Sequence, residues 1–541
     1  MGRDALYLIS YIRIPDGGGT LKDTVKRGWA LGLALVLVAS VCVLFSVRKQ
    51  GMFIDEIYTY GLSNSRYRPF LGGDKYGEID HRVVTREELL DYVSITEDEG
   101  FDFASVYDNQ VHDVHPPLYY WLFNIASTLA RGRFSKWIGL SLDGVLYLAA
   151  VLLLYILVRK LGGGRYCAAA TALLYGLSAI GLSTMVMIRM YVLLTLLTAL
   201  LMVLIADLMR RFRPRTCVFV GLTLLAGLLT QYYFVFYAFF LCAAYVLWAL
   251  WKKQVRALAW FIPCALLGAL SLLLVFPAAL SHLFSGELVS GESAAENLKN
   301  LAQYPARLRT FTGFLIHGLK AAIYTGLAAL LCVCAGFKRL RGKRIDPAWL
   351  VLIVPALLSF VLVAVISPVD EARYIYNLIP AFVLCVGFLL HLLEGAFDSA
   401  KRAPALVFLL IAALGLWEAR CVPPDYLYPE HAVYNELLDE HREDPCVFFA
   451  EPAWAFVPMT EDLIQLLRFP EVYVTDQESL APMLDYVGDA EEVVVYIDVS
   501  EFWSSGYDAE ALLARIAAET DYKEAEELFT TGLSTTYVIS K

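Results

Sequence analysis

The sequence predicts an α-helical polytopic membrane protein carrying a small α/β domain at its C-terminal end, and three observations predict it. The first is composition: 58% of the 541 residues are hydrophobic and 18% are charged. Soluble domains run to about 45–50% apolar and about 25% charged. The second is that the apolar excess gathers into runs long enough to cross a hydrocarbon core of about 30 Å. The third is a break in charge. From position 420 to the end, six Lys and Arg face 26 Asp and Glu, a net of −20, while the rest of the chain nets +10. A membrane part with basic loops and an acidic soluble tail accounts for all three.

The first apolar run, 28–47, follows Lys22, Lys26 and Arg27. No small-residue cleavage site comes after it, so it reads as a retained anchor rather than a signal peptide. A polar loop, 48–117, comes next. The apolar segment 116–130 is only about 15 residues long, short for a crossing and closer to a surface-lying or re-entrant helix. Ten more runs lie near 137–158, 166–187, 190–208, 216–233, 234–251, 257–280, 311–336, 348–366, 376–393 and 404–419. The count is about 11 membrane helices, or 12 if segment 116–130 crosses.

Loop charge orients these runs. With the N-terminal segment 1–27 in the cytoplasm, the loops 159–165, 210–215, 252–256, 338–344 and 401–402 are all inside and all basic. The loop 48–136, the turn around Gln231, the segments 281–310 and 367–373 and the tail then lie outside, in a multi-pass protein of the cell membrane. Arg131, Arg133 and Lys136 are the exception to the pattern. Domains follow as 1–27, a membrane module 28–419 and an acidic domain 420–541. In that tail, 446–451, 472–475, 492–499 and 535–539 read as strands and 461–468 and 508–519 as amphipathic helices. The tail lacks a glycine-rich phosphate loop or a nucleophile elbow, and reads as a structural or partner-binding appendage. Neither charge balance suggests nucleic acid as a partner. The ten cysteines are mostly singles inside spans (Cys42, Cys167, Cys217, Cys242, Cys264), without metal spacing, and read as small packing residues.

Few residues are positioned for chemistry. Asp55 and Glu56 follow the first span, where a carboxylate can act as a base or merely cap the next helix. Asp113-Val114-His115-Pro116-Pro117 closes the loop: the prolines stiffen the return to the membrane, and His115 can bind substrate, orient a carboxylate or pair with backbone. Arg189, beside Met190 and Tyr191, and Arg373, beside Tyr374, fall at outer span ends. A guanidinium fork there suits a phosphate, and the alternative is snorkelling to headgroups or pairing with Asp370 or Glu371. Gln231-Tyr232-Tyr233 is an outer aromatic turn, equally readable as interfacial belt. His317, inside a span, reads as a satisfied core histidine.

In their order, spacing and side of the membrane, Asp55-Glu56, Asp113-Val114-His115-Pro116-Pro117-Leu118, Arg189-Met190-Tyr191, and Arg373-Tyr374 followed by Pro380 resemble the GT-C class of membrane glycosyltransferases. The closest branch is the bacterial protein O-mannosyltransferase and aminoarabinose-transferase-like group. The resemblance covers roughly 20–420 and leaves the tail out. It implies the GT-C fold and an inverting transfer, on the outer face, from a polyprenyl-phosphate-linked sugar to an acceptor hydroxyl of protein, lipid or glycan. Asp55 then matches the catalytic acid, with Glu56 and His115 beside it. Arg189 and Arg373 would hold the donor phosphate, and Asp113, Tyr191, Tyr232 and Tyr374 would complete the substrate site. No cofactor is implied, and without a DxD motif at the site no metal is expected. Two rival readings stay open: a transporter or flippase of lipid-linked sugars, which predicts charged and discontinuous spans, and a scaffold presenting the acidic tail.

Overall fold

The computed structural model describes residues 21–72, 79, 81–96, 99–284, 296–336, 345–396, 402–500 and 506–541, with the backbone alone at 21–27. The predicted cytoplasmic segment 1–20, the basic loop 338–344 and Lys401 lie outside them. The chain folds as two compact units. Unit 1 draws on Met1–Leu44, Asp143–Met185 and Met190–Asp425, and unit 2 on Phe45–Leu142, Val186–Arg189 and Tyr426–Lys541.

Unit 1 is helical, and the chain is a multi-pass membrane protein. Among the described residues, eight helices are long and apolar enough to cross a membrane, and ten crossings result if each of two bent pairs counts once. The predicted runs 166–187 and 311–336 are these bent pairs. Arg165–Gly176 turns by 60° into Ala179–Val186, and the segment Leu301–Gly318 turns by 87° into Lys320–Ala335. The predicted run 216–233 contains only the 15-residue helix Pro214–Leu228. Hydropathy averaged over a window cannot see a break of one or two residues, which is why the two bent pairs read as unbroken spans.

A broken helix inside a membrane exposes N–H groups that lipid cannot satisfy. One side chain serves both breaks. The fully buried carboxylate of Glu418 accepts from the N–H of Ala321 (2.6 Å) and Lys320 (3.1 Å) at the start of Lys320–Ala335. It also accepts from the N–H of Ala179 (3.5 Å), which opens Ala179–Val186. A negative charge is favoured at a helix N-terminus, and here it faces two. The breaks touch each other: a Cβ on Gly318 would come within 2.6 Å of the Ile180 Cβ, so only glycine fits.

Unit 2 combines the loop 48–117 with the tail around one six-stranded sheet. The strands are β1 (Arg82–Thr85), β2 (Cys446–Phe449), β3 (Glu471–Thr475), β4 (Glu492–Asp498), β5 (Glu524–Thr530) and β6 (Ser534–Ser540), in the spatial order β1-β3-β2-β4-β6-β5. The central trio β3-β2-β4 is parallel and buried along nearly its whole length, as its runs of Val, Phe and Tyr require. Val447, Phe449, Val493, Val495 and Ile497 pack there with Met483, Leu512 and Ile516 from the covering helices. β1 comes from the loop 48–117 and pairs antiparallel with β3, Arg82 opposite Val474 and Thr85 opposite Glu471. The four predicted tail strands are present; β1 and β5 are additions. β5 reads Glu-Ala-Glu-Glu-Leu, good helix formers, and pairing with β6 overrides that preference at an exposed edge. The predicted helix 461–468 is divided into Phe456–Glu461 and Leu463–Leu466. Segment 116–130 holds the 11-residue helix Leu118–Thr128, too short at about 1.5 Å per residue to cross a bilayer.

Asp462 sits at that division, fully buried, and accepts from the Ser534 hydroxyl (2.5 Å) at the start of β6. Burial, then the neighbouring Glu461 carboxylate, push its pKa up to about 8 against the hydroxyl bonds that lower it. The folded state therefore keeps a proton that the unfolded state has already released, so the stability of unit 2 falls as pH climbs from the ordinary aspartate range to about 8. Asp462→Asn is expected to flatten that fall, measured as denaturant unfolding across pH. A slope equal to the parent's would show that Asp462 ionises freely. Glu418→Ala is expected to destabilise unit 1 by about 1–3 kcal/mol for each N–H it orphans, read by unfolding in mixed micelles. An unaltered midpoint would mean water or lipid already serves those donors.

Candidate active site

Asp55 and Glu56 occupy the first turn of the helix Ile54–Asn64, where the helix dipole favours negative charge. Neighbours in sequence, they face different surroundings. The Glu56 side chain is fully buried, and protein donors engage both of its oxygens. Oε2 accepts from the Phe53 N–H (2.6 Å) and from the Lys49 ammonium (2.9 Å), and Oε1 from the Ile188 N–H (2.7 Å). The Asp55 side chain keeps 25% of its surface open, with Oδ2 3.8 Å from the Arg189 guanidinium, a separation that attracts without a hydrogen bond.

Arg189 follows directly on Ile188 and is buried, its own N–H turned back to the Met187 carbonyl (2.7 Å). Nη1 donates to the Asp55 carbonyl (3.1 Å), the Thr59 hydroxyl (3.3 Å) and the Tyr120 hydroxyl (3.0 Å), which fixes the plane of the fork. Nη2 lies 3.4 Å from His115 Nε2. The other ring nitrogen of His115 meets Asp113 Oδ2 at 2.8 Å. Burial works against the Asp113 carboxylate, but the His115 ring, the Arg189 guanidinium and the Val114 N–H outweigh it and hold its pKa below the ordinary value. Asp113 therefore remains an anion through neutral pH and orients the imidazole. Unit 2 thus brings together Asp55, Asp113, His115 and Arg189 from three separate stretches of chain.

The remaining predicted residues lie in unit 1. Arg373 Nε is 2.7 Å from Glu371 Oε2, and its guanidinium lies 5.7 Å from the centre of the Tyr374 ring. Tyr374 packs against Tyr233 at 5.0 Å, and Tyr191 packs edge-on against Tyr376 at 6.0 Å. The Tyr232 hydroxyl meets His282 Nδ1 at 3.0 Å.

Sequence reasoning passed over several members of these groups. In unit 2 they are Lys49, Thr59 and Tyr120. In unit 1 they are His282 and Arg307, the latter buried and bonded to Ser367 and 3.1 Å from Asp370. Two of them carried a signal: Lys49 and Arg307 are cations on the face predicted to be poor in them. For a metal, the group that qualifies among the described residues is His441, Asp444 and Glu492, whose ligand atoms lie within 4.8 Å of one another. His441 Nδ1 contacts Asp444 at 3.0 Å and Glu492 at 3.3 Å, so an ion triad explains the cluster equally well, and none of the three belongs to the Asp55 group.

No family model and no curated protein matches the chain. Among solved structures it is similar to ArnT from Cupriavidus metallidurans bound to undecaprenyl phosphate, at 12% identity and TM-score 0.49, over 94% of this chain and 98% of that one. It is similar also to the Archaeoglobus fulgidus oligosaccharyltransferase in its apo form, at 12% identity and TM-score 0.44, over 88% and 70% of the two chains. A third is the arabinofuranosyltransferase AftD from mycobacteria, at 16% identity and TM-score 0.40, over 94% of this chain and 40% of that one.

Proposed function

We propose that the chain is an inverting glycosyltransferase that moves a sugar from a polyprenyl-phosphate carrier to an acceptor hydroxyl on the outer face of the membrane. The observation that carries this reading is the partly open Asp55 carboxylate, set at a helix N-terminus and flanked by a buried, fully oriented Arg189 and by the Asp113–His115 pair. Asp55 acts as the general base. It takes the proton from the acceptor hydroxyl as that oxygen attacks the anomeric carbon, and the carrier phosphate departs with the bonding electrons. A phosphate leaves readily once its charge is matched, so no acid is required on that side. Arg189 holds the Asp55 carboxylate in place, and His115, oriented by Asp113, is ready to hydrogen-bond a sugar or phosphate oxygen.

The transporter reading gains one observation, since two spans are discontinuous as it predicts. The N–H groups at those breaks, however, bond to Glu418, which leaves them little to offer a cargo.

Transfer of labelled sugar from a polyprenyl-phosphate donor by the purified protein in lipid nanodiscs tests the proposal. Asp55→Asn is expected to lower kcat by about 10²–10⁴-fold, the usual weight of a general base, with donor binding retained. Equal turnover in this variant would remove the base, and carrier movement across liposomes without any product would favour transport. Arg189→Lys, which keeps the charge but loses the fork to Thr59 and Tyr120, is expected to lower kcat as well.

A further inference from the structure

We infer that Lys49 and Glu56 form a positioning pair through which the tail holds Asp55 and Arg189 in register; the inference rests on the reading of Asp55 as base. Both side chains are fully buried and their charged atoms are 2.9 Å apart. The ammonium also donates to the Tyr426 carbonyl (2.6 Å) and lies 5.6 Å from the centre of the Tyr428 ring, so the first residues of the tail complete its surroundings. Glu56 then joins four pieces of chain: the end of the first span through Lys49, the start of the Asp55 helix through Phe53, the turn at Ile188 and, by way of Lys49, the tail.

The arrangement has a consequence for the site. Asp55 is one residue from Glu56, and Arg189 is one residue from Ile188. The carboxylate and guanidinium that face each other at 3.8 Å are therefore each tethered, one peptide away, to the same buried carboxylate. The tail contact is close-fitting. The Gln50 N–H donates to the Leu427 carbonyl (2.8 Å), and a Cβ on Gly51 would stand 2.6 Å from His431 and 2.8 Å from Tyr428. Because they are closed to solvent, Lys49 and Glu56 do not touch substrate; they act through their neighbours. A shift of about 1 Å in a reacting group is enough to cost on the order of 10²-fold in rate. The tail is accordingly a working part of the site.

Double substitution in the full chain separates positioning from simple burial. Lys49→Met leaves a buried carboxylate without its cation and is expected to lower both the unfolding midpoint and kcat. Combined Lys49→Met and Glu56→Gln removes both charges, so the midpoint should recover. The amide offers one acceptor oxygen where the carboxylate offered two, and kcat should stay down by about tenfold or more with the donor KM little changed. Recovery of kcat together with stability would reduce the pair to a structural salt bridge and overturn the inference, as would full kcat in the folded Lys49→Met protein. Gly51→Val, which wedges a side chain against His431 and Tyr428 while sparing the pair, is expected to lower kcat; an unaltered kcat would take the tail out of the inference. Absence of product from the parent protein would refute the transferase reading itself, a result distinct from active parent and equally active variants.

Discussion

A carboxylate buried against the N–H groups of a starting helix is the interaction on which both units rely. In a medium of low polarity a free N–H is costly and a free carboxylate costlier, so each makes the other tolerable. Glu418 does this where two membrane helices are broken, and Glu56 where the loop 48–117 begins and where the chain turns before Arg189. In both cases one acid serves donors far apart in sequence. Removal of either acid loosens several segments at once.

The Asp55–Glu56 doublet shows how neighbouring acids acquire different work. The helix turns by about 100° per residue, so two consecutive carboxylates cannot share surroundings. Glu56 points to the side where the Lys49 ammonium and the Ile188 N–H wait, and its oxygens bond there. Asp55 keeps part of its surface open beside Arg189. A group whose oxygens already accept short, charge-assisted bonds is a poor base, because taking a proton means giving those bonds up. Asp55, a quarter open, is the one of the two that a substrate can reach.

The tail, by length and charge, looks like a separate domain. Its sheet, however, takes β1 from the loop 48–117, and its first residues complete the surroundings of Lys49. Part of its acidity lies on the outside, as in β5, where the exposed glutamates discourage other strands from adding to an open edge. Inside, the parallel trio is largely apolar, as a sheet covered on both faces must be.

Local chemistry was legible in the sequence. Runs of apolar residues mark the spans because hydrocarbon admits little else, and alternating Val, Tyr and Phe mark the tail strands. Asp55, Asp113, His115 and Arg189 stand out because charged groups at span ends need a reason to be there. Tertiary structure alone decided which of these meet. Lys49 found Glu56 and the Tyr426 carbonyl 377 residues away, β1 found β3, and Glu418 found two breaks that hydropathy had smoothed over. Pairing of that kind depends on distance in space and on which polar groups are shut away from water together, and neither quantity is written in any local stretch of chain.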